Sequence, residues 1–322
     1  MKQIVECVPN FSEGRDSAKI DAVVRALEGV PGALLLDRSS DPDHNRSVIT
    51  MAGAPEAVLE AAIRAVGKAA DLIDLREHAG EHPRIGATDV LPFVPVRGVT
   101  MQDCILIAHR AGREIWERYR IPIYFYEAAA IRPECKDLAN VRRGRFEGLR
   151  DAVLHDPERA PDVGEPRLHP SAGATAVGAR KFLIAYNINL NTPDIKIARR
   201  IAKSIRYSSG GLPWVKAIGV DLRSRGLAQV SINLTDFEQT SLRTVFEAVK
   251  SEAARYNSQI AGSEIIGLIP ERALDPDAIS YLRLENFSAT QVFENRLQWA
   301  ENRLTNGTTK DLEIARPEPR PK

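Results

Sequence analysis

The stretch "KFLIAYNINLNTPDIKIARRIAKSI" (residues 181–205) decides the fold. Its first ten residues read as a strand. Asn187 and Asn189 fall on one face, against apolar neighbours on the other. Thr192 then offers a helix cap, and Pro193 suits a first helical position. Reading outward, "WVKAIGVDL" (214–222) and "LAQVSINL" (227–234) are strand-like. The "RSRG" between them is a hairpin signal. Leu242, Val245, Phe246, Val249 and Ala253 recur at helical spacing, and "SEIIGLIP" (263–270) reads as a closing strand. The order is β-α-β-β-α-β, a split βαβ or ferredoxin-like unit.

The first half gives a similar string. "QIVECVP" is a strand, and Ile20, Val23, Val24 and Leu27 mark a helix that "EGVPG" ends. "ALLLDRS" and "RSVITMAG" flank the polar turn "SDPDHN". Pro55 starts a second helix. "DVLPFVPV", a helix from about Met101 to Arg118, and "IPIYFYE" follow. This is βαββαβ with an extra αβ, without a residue-level repeat. The expected fold class is α/β (α+β). It comprises two ferredoxin-like subdomains packed together with a ligand cleft between them. The N-terminal subdomain is expected over 1–178 and the C-terminal one over 179–300, with a polar, frayed tail over 301–322. The join falls in "HDPERAPDVGEPRLHPSAGATAVGAR" (155–180), a Pro-, Gly- and Ala-rich stretch that reads as a functional loop or linker.

Composition narrows the function. A net charge of +1 over 322 residues gives no electrostatic case for nucleic acid or an anionic membrane. No run approaches the length of a membrane span. The N-terminus lacks a signal-peptide pattern. Three scattered cysteines, Cys7, Cys104 and Cys135, suit a reducing cytoplasm and argue against a disulfide framework.

Only six histidines occur, so two within "REHAGEHPRIGATDVLPFVP" (76–95) stand out. His78 and His82 have the i, i+4 spacing of zinc-binding helices. Gly80 weakens such a helix, Pro83 pushes His82 out of helical geometry, and no third ligand follows. A histidine on a turn before a strand can instead move protons near neutral pH. A loop histidine bonded to backbone is the structural alternative. In the second half, Gln229 and Ser231 share a strand face, as do Asn187 and Asn189. The first and third strands of a split βαβ unit are neighbours, so these four form one polar patch, either a solvated face or a ligand surface. "GEPRLHPSAGATAVGAR" (164–180) is Gly-rich but is no phosphate loop. Arg180 and Lys181 follow it and suit an anionic tail. Asp37 and Asp41, beside and in "SSDPDHNR" (39–46), suit a cationic group or a solvated turn.

Together "VECVPNFSEG" (5–14), "GEHPRIGATDVLPFVPVRGV" (80–99), "HPSAGATAVGARKFLIAYNINL" (169–190), "LAQVSINLTDFEQT" (227–240) and "GSEIIGLIP" (262–270) resemble the glutamate formiminotransferase family. The resemblance runs from about residue 3 to about residue 275. It implies formimino transfer between N-formimino-L-glutamate and N5 of tetrahydrofolate, a step of histidine breakdown. It places the catalytic histidine at His82. It places the folate-contacting segment at Val163, Gly164, Glu165, Pro166, Arg167, Leu168, His169, Pro170, Ser171 and Ala172. Tetrahydrofolate, in some cases polyglutamylated, is then a co-substrate, with no metal or redox cofactor. A cytoplasmic homodimer acting on small molecules is expected, in a stand-alone form without the cyclodeaminase domain of animal members. Those members tend to carry a second acid where this chain has Ser39, and Asp37 or Asp41 are its candidate substitutes. The alternatives are formyl transfer between 5-formyltetrahydrofolate and glutamate, a non-catalytic folate-binding protein, and a zinc hydrolase using both histidines.

Overall fold

The computed structural model describes residues 3–80, 82–222 and 225–305. The chain divides between Arg180 and Lys181 into two compact units.

The first unit holds strands β1 (Ile4–Cys7) and β2 (Asn10–Phe11), helix α1 (Ser17–Glu28), and strands β3 (Ala33–Asp41) and β4 (Arg46–Gly53). It continues with α2 (Pro55–Leu72), β5 (Thr88–Arg97), α3 (Met101–Tyr119) and β6 (Ile123–Glu127), and ends with α4 (Leu138–Val141), α5 (Arg145–Ala152) and β7 (Thr175–Ala179). β1 and β2 follow one another as an interrupted strand between β4 and β5, with β3 beyond β4. That is the antiparallel order of a ferredoxin-like core. β5 then extends the sheet in parallel through β7 to β6. Asp16 caps α1 through its carboxylate, and Ile20, Val23, Val24 and Leu27 are buried at the spacing seen in the sequence. A capping box between Thr100 and Asp103 opens α3. Over β5, β6 and β7, residues Val90, Tyr124, Tyr126 and Ala176 form a core with Val141 of α4 and Phe146 and Leu149 of α5.

β7 corrects the expectation that 155–180 is only loop or linker. "TAVGA" lacks the bulky residues that signal a strand, yet every one of its residues is buried. Small side chains are required there: a Cβ on Gly178 would sit 2.5 Å from the Tyr126 ring. Because β7 runs to Ala179, the first unit takes in residues beyond 178.

The second unit holds β8 (Ile184–Leu190), α6 (Ile195–Ile205), β9 (Val215–Leu222), β10 (Leu227–Leu234), α7 (Leu242–Ala254) and β11 (Ile260–Ile266), followed by α8 (Ala278–Tyr281) and α9 (Phe293–Thr305). Its sheet runs β11-β8-β10-β9, antiparallel throughout, the order a split βαβ unit demands. Ile184, Tyr186, Ile188, Val230 and Ile232 supply its apolar face. The α6 cap is Asp194, whose carboxylate accepts from the Lys196 amide, and not Thr192. Thr192 instead accepts from the Asp194 amide and shapes the approach to the helix. The frayed tail expected from 301 is also corrected, because α9 continues to Thr305; the remainder of that tail lies outside the described residues.

All three cysteines are free and buried. Among the described residues no helix is long and apolar enough to cross a membrane.

Candidate active site

The loop carrying His78 and His82 joins α2 to β5, and backbone contacts pin both of its ends. The Leu75 amide donates to the Ser171 carbonyl (2.9 Å), the Ala87 amide to the Ala172 carbonyl (2.8 Å), and the Ala174 amide to the Ile85 carbonyl (2.9 Å). The two chains approach too closely for side chains. A Cβ on Gly86 would lie 2.0 Å from the Ala174 carbonyl oxygen. Gly173, at φ +71°, would place one 2.1 Å from that of Ile85. The predicted folate segment is therefore packed against the predicted histidine loop.

Within that segment Val163 bridges to Ile123, and Leu168 is buried in the α4–α5 core. His169 Nδ1 accepts from the Ala172 amide (3.0 Å), which leaves the ring proton on Nε2. Gly164, Glu165, Pro166, Arg167 and Pro170 are exposed, and Arg167 pairs with Glu165 at 2.9 Å.

The far side of the loop is clipped to the β3–β4 turn. His78 Nε2 donates to the Asn45 carbonyl (3.0 Å), and the Asn45 side-chain amide donates to the Ala79 carbonyl (3.1 Å). Asn45 Oδ1 accepts from the Gly14 amide (2.9 Å). Arg84, 5% exposed, forms a two-pronged pair with Glu147 of α5 (2.8 and 3.2 Å) and donates to the His78 carbonyl (3.1 Å). His78 thus acts as a clip, occupied by backbone, and does not share a partner with His82.

His82 has a different environment. Asp89, buried at the start of β5, lies with Oδ2 3.7 Å from His82 Nε2. That is too long for a hydrogen bond but close enough for its charge to be felt. Asp89 Oδ1 accepts from the Ile85 amide (2.8 Å), and Oδ2 accepts from the Arg142 guanidinium. Burial alone would raise the Asp89 carboxyl. Arg142, His82 and the Ile85 amide outweigh it and hold the group at about 2. Burial lowers the His82 pKa. Arg46 and Arg142 push the same way, and Asp89 opposes them only in part. The imidazole is therefore neutral at pH 7 and free to accept a proton. Arg46 reaches in from β4 and donates to Asn10 Oδ1. Burial, then the charge of Arg142, pulls its pKa down to about 10.

The other candidates lie apart from this cluster or have work of their own. Asp41 Oδ1 accepts from the Asp43 and His44 amides (both 2.9 Å), and its Oδ2 pairs with His44 Nδ1 (2.8 Å), so its carboxylate holds the β3–β4 turn. Asp37 is half-buried on β3 opposite Thr50. The Arg180 amide donates to the Phe93 carbonyl (3.1 Å), while Lys181 pairs with Asp236 (2.7 Å) and Glu238 (3.3 Å). In the second unit the polar strand residues do meet. Gln229 donates to Asn189 (2.9 Å) and Glu264 (3.2 Å), and Asn187 donates to Glu264 (3.1 Å). Ser231 lies opposite Asn187 in register, and Asn189 also donates to Glu285 (3.4 Å).

Asp89, Arg142, Arg46, Arg84 and Asn45 are the functional neighbours the sequence reading missed. An acid opening an otherwise apolar strand, "TDVLPF", was the available signal for Asp89. The "NVRRGR" run hides Arg142 among residues that look solvated.

Comparisons with known proteins agree on one lineage. The model described as "Formiminotransferase domain, N-terminal subdomain" matches residues 4–180, and that of "Formiminotransferase domain" matches 185–309. The chain is 49% identical over 298 residues to a glutamate formimidoyltransferase of Streptococcus pyogenes serotype M1, covering 92% of this chain and 99% of that protein. It is 42% identical over 301 residues to one of Thermoplasma acidophilum, covering 93% and 99%. Against the formimidoyltransferase-cyclodeaminase of Mus musculus it is 45% identical over 310 residues, covering 94% of this chain and 57% of that protein.

Proposed function

Because this chain belongs to the formiminotransferase family, we infer that it is a one-carbon transferase moving the formimino group between N-formimino-L-glutamate and N5 of tetrahydrofolate, with His82 as the proton shuttle. The observation that carries the role of His82 is its setting: a neutral imidazole on a clamped loop, facing a carboxylate that stays ionised.

The transfer passes through a tetrahedral carbon bonded to both amine nitrogens. As N5 attacks the amidine carbon, N5 loses a proton to His82 Nε2. The glutamate nitrogen must then gain a proton to leave as an amine, and the same imidazolium returns it. Asp89, fixed by the Ile85 amide and Arg142, stabilises the imidazolium between these two events. Its charge makes the proton acceptable without a direct hydrogen bond that would hold it. The carbon keeps its oxidation state, so the transfer needs no redox cofactor. Residues 163–172 are the proposed folate contact, since their last two residues, Ser171 and Ala172, are bonded through backbone to the ends of the His82 loop. The homodimer and the cytoplasmic location belong to the same reading.

The test is His82→Ala. Transfer should fall about a hundred- to ten-thousandfold, the usual worth of a positioned acid–base. A folded variant that transfers at near wild-type rate would overturn the assignment. Running formiminoglutamate and formylglutamate side by side on one enzyme sample separates formimino from formyl chemistry.

A further inference from the structure

Arg142 bonds the Asp89 carboxylate that faces His82, and Arg46 bonds Asn10, whose strand partner Val90 follows Asp89 directly. The charges of both guanidinium groups are felt at the imidazole. Among the described residues the carboxylate bonded there is Asp89, and its partner is Arg142. Among the described residues Arg46 donates to the neutral side chain of Asn10. The nearby Asp41 also favours the charge on Arg46, yet its oxygens are engaged by His44 and the turn amides. Two buried guanidinium donors, Arg46 Nε and Arg142 Nε, have no hydrogen-bond partner among the described residues, and neither has the proton-accepting His82 Nε2. Buried donors of this kind are costly unless something satisfies them, and a buried cation more so. An excess of fixed positive charge with open donors is a seat for an anion, and paired guanidinium groups suit a planar carboxylate.

We propose that Arg46 and Arg142 form a carboxylate seat beside His82 that receives the α-carboxylate of the glutamate moiety. This deepens the transfer reading and rests on it for the identity of the ligand. Connectivity selects the α-carboxylate. The reacting nitrogen is bonded to the carbon that carries the α-carboxyl group, whereas the side-chain carboxyl is two carbons further away. An anion seat next to the proton shuttle therefore matches the nearer group. The seat would aim the leaving nitrogen at His82 and offset the two guanidinium charges that act on the imidazole alongside its burial. The cationic amidine then meets the carboxylate first and not the bare guanidinium pair.

Calorimetric binding of L-glutamate and of 4-aminobutanoate, which lacks the α-carboxylate, tests this without turnover. Wild-type protein should bind L-glutamate more tightly. Arg46→Gln should weaken L-glutamate binding about ten- to hundredfold, the loss of one charged hydrogen bond, and leave 4-aminobutanoate within a few fold. Arg46→Lys, which keeps the charge but not the fork, should fall between and serves if Arg46→Gln does not fold. Equal weakening of both ligands, wild-type affinity in both variants, or no preference in the wild type overturns the seat. Protein that shows the Arg46-dependent preference yet transfers no formimino group keeps the seat and overturns the transfer reading instead.

Discussion

Replacing Asp89 by Asn removes one negative charge and, with it, the Oδ2 acceptor of Arg142. The amide oxygen can still accept from Ile85, and the volume is unchanged. The lost charge sat 3.7 Å from His82 Nε2, where at an effective dielectric of 20 a unit pair is worth about 4 kcal/mol. That is an upper figure. Arg142 draws on the same carboxylate, and the imidazole is 17% exposed, so the loss is smaller than that and the His82 pKa falls. The sign is fixed by the charges. Without Asp89 the imidazolium loses its one favourable neighbour among the described residues and still faces Arg46 and Arg142. The assay is kcat/KM for formiminoglutamate from pH 4.5 to 9 at constant ionic strength. Wild type should lose activity on the acid side with an apparent pKa below the ordinary histidine value of 6.5. The variant's acid limb should lie lower still, and its plateau should drop about tenfold because a weaker base takes the proton. Substrate ionisations are common to both enzymes and cancel in the comparison. An acid limb that stays in place, or moves to higher pH, would refute the electrostatic coupling of Asp89 to His82.

The same carboxyl predicts a stability effect. Its folded pKa is depressed to about 2 from 3.8, so its contribution is full above about pH 4 and is lost as the pH falls towards 2. The contribution is about 2 kcal/mol, and urea unfolding of Asp89→Asn across that window should show a shallower acid loss than wild type. Gly86→Ala should destabilise the fold by at least about 2 kcal/mol, because its Cβ would meet the Ala174 carbonyl at 2.0 Å. Hydrogen exchange at Leu75 and Ala87 should quicken with it, and unchanged exchange would mean the loop is not held by the 169–174 hairpin.

Much of the fold was legible because the local signals agreed with one another. The period of two in "LAQVSINL", the helical spacing from Leu242 to Ala253 and the caps pointed to one topology, and β8 to β11 pair in the order that topology requires. β7 was not legible, for a physical reason. A strand buried between two parallel neighbours and crossed by Tyr126 is selected for small size, and Ala and Gly carry a loop's signature, not a strand's. Thr192 was misread as a cap by two positions, because Asp194 offers the same capping oxygen nearer the helix.

The candidate site divides along the same line. His82 was legible because histidine is scarce and its neighbours Gly80 and Pro83 exclude a helix. His78 was legible only as a question, and Asn45, thirty-three residues away, answers it by occupying Nε2. Arg142 and Arg46 lie 60 and 36 residues from His82 and sit in runs that resemble ordinary surface charge. What makes them functional is burial beside one another, a property of three dimensions alone. Two like charges are brought together at a cost, and a single buried acid offsets only part of it. A fold driven by stability alone would gain by replacing Arg46 with an apolar residue. The missing counter-charge is supplied by the molecule whose nitrogen His82 must protonate, so binding and protonation depend on the same pair of side chains.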